Sequence, residues 1–109
     1  MPDHRIIDER SLAFGRAIVA RLAEDPSLIA HARATLARWM PTASPSVQPD
    51  LAAWSNALDG SLEGVIRLLT SDDEHATRLR QSNPFAGVLT PPERTAILKQ
   101  FREHDPSAA

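Results

Sequence analysis

Apolar residues in this chain recur at helical spacing and nowhere alternate with period two over the length of a strand. That pattern points away from sheet architectures and toward packed helices. Between residues 7 and 24, Ile7, Phe14, Ile18 and Leu22 share one stripe, flanked by Leu12 and Val19, while Arg10, Arg16, Arg21 and Glu24 fall largely elsewhere. Gly15 weakens that helix by about 1 kcal/mol relative to alanine; in exchange it permits a close helix crossing.

The punctuation is equally regular. Asp25-Pro26 reads as an N-cap followed by proline at the first helical position, opening a helix that runs to about Trp39 with Leu28 or Ile29, Ala32, Leu36 and Trp39 on its apolar face. The join is so short that the first two helices should form an antiparallel hairpin or a sharp corner. Residues 40–49, MPTASPSVQP, are the only linker-like stretch and are read as a surface loop. A short helix then carries Leu51, Trp54 and Leu58, and Asp59-Gly60 stops it with glycine free to adopt the left-handed cap. Ser61 caps a helix with Leu62, Val65, Leu68 and Leu69 inward. Ser71-x-x-Glu74 matches a capping box for the next, with Asp72, Asp73 and Glu74 in its first turn and Leu79 as its main apolar contact. Residues 82–89 form a Pro/Gly turn whose Phe85, Val88 and Leu89 should pack on the core, and Thr90-Pro91-Pro92-Glu93 caps a last helix carrying Ile97, Leu98 and Phe101.

The expected fold is therefore all-α: a compact bundle of five or six short helices with an apolar Pro/Gly turn before the last one. At 109 residues the chain fits a single domain, 1–109, with residues 1–5 and 105–109 expected to fray. Only 5% of residues are aromatic and none is tyrosine, so an aliphatic core is expected. Trp39 and Trp54 both lie on helical apolar stripes, and core is the default reading for each.

Charge and composition narrow the function. The net charge is −2, with acids and bases interspersed, which disfavours a nucleic-acid binder driven by bulk electrostatics. No cysteine means no disulfide and no thiolate chemistry. The opening MPDHRIIDER lacks the apolar segment of a secretory signal, and no run approaches the roughly 18 apolar residues of a membrane span. A cytoplasmic protein without a membrane role is the expectation.

Catalytic patterns are thin. His4, His31, His75 and His104 are scattered with no HxxxH or HExxH pairing, and Asp72, Asp73, Glu74 and His75 point in different directions on a helix and read as a solvated cap cluster. The serines show no GxSxG elbow and the four glycines are isolated, so neither a nucleophile nor a phosphate loop stands out. Glu63 with Asp59 is a carboxylate pair more in keeping with an exposed face than with acid–base work. No metal and no cofactor is expected, and the reading leans away from an enzyme. A helix-turn-helix DNA-binding regulator is an alternative, using the segments 62–70 and 72–80 with Arg67, Arg78 and Arg80; the three acids opening its second helix would repel phosphate.

The feature with most left to explain is the run from Arg78 to Leu89, which gathers two arginines, two amides and a constrained apolar turn. One reading is structural: Asn83-Pro84 ends a helix while Phe85 and Val88 plug the core. The other is a partner-binding edge made of Arg78, Arg80, Asn83 and Phe85, joined by Arg94 and Arg102 of the last helix, with the arginines pairing with carboxylates or phosphates.

The segment LRQSNPFAGVLTPPER, residues 79–94, followed by a helix containing Ile97 and Leu98, resembles the C-terminal signature of a family of small bacterial helical proteins similar to toxin–antitoxin-associated proteins. The segment from Ala20 to Ile29, the Arg38-Trp39 pair and the stretch from Trp54 to Leu58 are similar to that family too, so the resemblance covers most of the chain. It implies a gene beside toxin–antitoxin or helix-turn-helix genes and carries over no catalytic residues. The expected function is a non-catalytic protein-interaction module, the antitoxin or accessory member of such a pair, with a protein partner encoded by a neighbouring gene. A DNA-binding regulator and a small toxin or enzyme of unrecognised type are the alternatives, and homo-oligomerisation stays open.

Overall fold

The computed structural model describes the backbone of residues 4–104 except Ala86, and the side chains of residues 9–101 with the same exception. Among them six α-helices form and no strand does: α1 (His4–Glu24), α2 (Leu28–Trp39), α3 (Gln48–Asp59), α4 (Leu62–Thr70), α5 (Glu74–Arg80) and α6 (Pro91–His104), with a 3-10 turn at Met40–Thr42. The all-α bundle expected from periodicity is the fold observed.

α1 is the spine, packing against α4, α5 and α6. Its stripe buries Ile18 and Leu22 and half-buries Phe14 and Val19; the Ile7 side chain lies outside the described residues. Gly15 sits where α1 crosses α4. A methyl group there would stand 1.8 Å from the carbonyl oxygen of Leu69, so the two backbones touch and only glycine fits.

The turn into α2 is tightened by Leu28 N–H donating to Asp25 O (3.2 Å) and Ile29 N–H to Pro26 O (3.2 Å). The Asp25 carboxylate accepts from Ser27 N–H at 3.1 Å, so Asp25 caps this turn although the regular α-helix starts only at Leu28. α2 buries Ala32, Leu36 and Thr35, whose hydroxyl is satisfied by His31 O at 3.1 Å.

The stretch expected to be a surface loop is shorter and less exposed than its composition implies. α3 begins within it at Gln48, because Pro49 suits a first helical turn and Asp50 complements the helix dipole there. Met40, Ala43 and Val47 pack partly on the core. α3 then buries Leu51, Trp54 and Leu58. Gly60 does not adopt the left-handed cap: its φ is −94°, and its N–H closes back on Ala57 O at 3.1 Å.

In α4, Val65, Leu68 and Leu69 are buried, but Leu62, expected inward, stays 54% exposed at the first position of the helix. Periodicity gives a side chain's direction, not the presence of a neighbour opposite it. The α5 cap also differs from expectation. Asp73, not Ser71, is the N-cap, accepting from Ala76 N–H at 2.8 Å. Ser71 closes α4 by donating its N–H to Arg67 O and supports Asp73 with its hydroxyl at 2.6 Å. The bonds from Ala76 and Ser71 hold the Asp73 carboxyl below the usual range.

The turn before α6 is apolar and interior, with Pro84, Phe85 and Leu89 buried. Phe85 meets Trp54 edge-on, ring centroids 6.2 Å apart at 67°. The capping box of α6 forms as its sequence dictates: Thr90 N–H donates to Glu93 Oε1 (2.9 Å) and Glu93 N–H to Thr90 Oγ1 (3.3 Å). α6 rests on α1, with Ile97, Leu98 and Phe101 half-buried.

Candidate functional site

The residues expected at a partner-binding edge divide between the interior and two separate faces. Arg80 is 6% exposed. Its Nε donates to Ser11 Oγ (2.7 Å), Nη1 to Leu68 O (2.9 Å) and to Ser71 O, and Nη2 to Thr77 Oγ1 (3.2 Å). Leu68 and Ser71 lie in and just after the last turn of α4, where helix carbonyls lack intrahelical donors and carry the negative end of the dipole. Arg80 therefore caps α4 from α5 and ties both to α1. Phe85 is fully buried, and Asn83 Oδ1 accepts from Phe85 N–H at 2.9 Å, shaping the turn. Arg80 and Phe85, expected at a partner-binding edge, are both buried within the fold.

Arg94 is exposed on α6, its guanidinium carbon 5.5 Å from the centroid of the Phe14 ring. The Arg102 side chain lies outside the described residues. Arg78 stands at the surface of α5. Its side chain is 64% exposed and its Nε lies 3.2 Å from Asp50 Oδ1 and 3.4 Å from Oδ2, joining α5 to the start of α3.

A groove of about 360 Å³ opens between the end of α2, the 40–47 loop, the start of α3 and the turn after α5. Its floor and walls are Trp39, Ala43, Val47 and Leu51; Thr42, Gln81 and Ser82 make it polar at the edge. Trp54 is a core anchor, its indole N–H donating to Leu79 O at 2.7 Å, whereas Trp39 is only half-buried and lines this groove. The α2-to-α3 loop that forms one wall is held by its own bonds, Thr42 Oγ1 to Trp39 O (3.3 Å) and Gln48 Nε2 to Ala43 O (3.1 Å), so the groove is preformed. The sequence signal for Trp39 was its place at the very end of an apolar stripe, next to a proline-rich loop.

A second recess of about 350 Å³ lies between α2 and α3 and is lined by Arg33, Leu36, Ala37, Met40, Ser55 and Asp59. Arg33 is already engaged there, 2.7 Å from Asp59 Oδ1 and donating to Leu58 O at 2.9 Å. Asp59 is thereby an exposed ion-pair partner rather than half of a carboxylate pair with Glu63.

Set against known protein families, curated proteins and solved structures, the chain finds no match.

Among the described residues, no three His, Cys, Asp or Glu side chains come together as a metal site would require, and no helix is long and apolar enough to cross a membrane. Of the arginines that the helix-turn-helix alternative would use, Arg80 is buried, while Arg67 and Arg78 are exposed, Arg78 beside Asp50; Asp72, Asp73 and Glu74 cluster around the start of α5. An acidic leading edge is at odds with the chemistry of a phosphate backbone.

Proposed function

We propose that this chain is a non-catalytic protein-interaction module, the antitoxin or accessory component of a two-gene bacterial module of the toxin–antitoxin kind, acting in the cytoplasm. The observation that carries the interaction reading is the groove at Trp39, Val47 and Leu51. A half-exposed tryptophan over an apolar floor, rimmed by amide and hydroxyl groups, is the composition of an interface hot spot. The resemblance of residues 79–94 to a toxin–antitoxin-associated family supports the genetic setting. The partner-binding residues under this reading are Arg78 and the groove, with Arg94 as a separate surface contact; Arg80, Asn83 and Phe85 hold the fold that presents them.

The test is co-expression with the product of the adjacent gene, followed by size-exclusion chromatography with light scattering. A stable hetero-complex is expected, weakened by Arg78→Glu while the circular dichroism spectrum stays helical. A chain that elutes alone, indifferent to its neighbour, overturns the reading.

A further inference from the structure

We draw no further inference here: the strongest candidate, the apolar groove between the end of α2, the start of α3 and the turn after α5, carries nothing further because nothing in the structure shows what covers it.

Discussion

Two regions of this small bundle are built on different physics. Where α1, α3, α4 and α5 meet, Trp54, Phe85, Leu69 and Leu79 are essentially inaccessible, and each polar atom that goes in with them finds a partner: the Trp54 indole on Leu79 O, the Arg80 guanidinium on two carbonyls and two hydroxyls. α6 is attached to α1 by half-buried Ile97, Leu98 and Phe101, by the Arg94–Phe14 stack and by the Arg21–Glu93 ion pair. Among its described side chains none is fully buried. The first region gains from desolvation and fails badly when one partner is removed. The second is held by solvent-screened contacts, each of small effect. Global stability should therefore reside at the Trp54–Arg80 centre, with α6 opening at lower cost.

That contrast can be broken at its strong end first. Trp54→Ala removes the largest fully buried side chain and its bond to Leu79 O; a loss of about 4 kcal/mol is expected, read by urea unfolding. A loss of less than about 1 kcal/mol would mean that the centre is not where stability lies. Arg80→Met keeps the stem and strips the donors from Leu68 O, Ser71 O and Ser11 Oγ. Its expected cost is about 3 kcal/mol, because carbonyls at the end of α4 are left without a partner. Unchanged stability would show that water replaces the guanidinium there.

At the weak end, Ile97→Ala should cost about 1 kcal/mol, since the side chain is only partly buried to begin with. Hydrogen exchange should quicken along α6 while the Trp54 indole proton stays protected; uniform acceleration through the chain would merge the two regions into one cooperative unit. The smallest effect is acid sensitivity. The Arg21 guanidinium, with the backbone and hydroxyl of Thr90, holds the Glu93 carboxyl down at about 2, well below its ordinary 4.5. A depressed carboxylate pKa contributes stability that is full above the unfolded value and is lost as pH falls from about 4.5 toward 2. Exchange in the first turn of α6 should rise across that window, and Glu93→Gln should flatten the change. An equal rise in the variant would assign it to other carboxylates.

Much of the fold is legible in the order of residues. The stripes of α2, α3 and α4 predict Ala32, Leu36, Leu51, Trp54, Leu58, Val65, Leu68 and Leu69 as interior, and they are. The Thr90–Glu93 cap is equally legible, because it is a local demand of backbone geometry; Gly15 signals a close crossing, but the need for glycine there comes from the Leu69 carbonyl of α4, far along the chain. Ser71 and Asp73 are harder: either side chain can cap a helix, and which one does depends on where α4 ends. The candidate site is legible only in part. Arg78 and Arg80 are two residues apart on one short helix and look alike in sequence, yet one is 64% exposed at its side chain and the other is buried.

What the chain order of residues determined by itself is the helical class, most core positions and the caps at Ser61 and Thr90, since these follow from periodicity and from hydrogen bonds spanning a few residues. What the tertiary structure decided is which polar groups are consumed and which are presented. Arg80 is inside because the end of α4 arrives with bare carbonyls, Trp54 because Leu79 O meets its indole, and Trp39 remains at a groove because the wall opposite it comes from the turn after α5, far along the chain at Gln81 and Ser82. Such pairings depend on how helices dock across long stretches of sequence, and no local pattern carries that information.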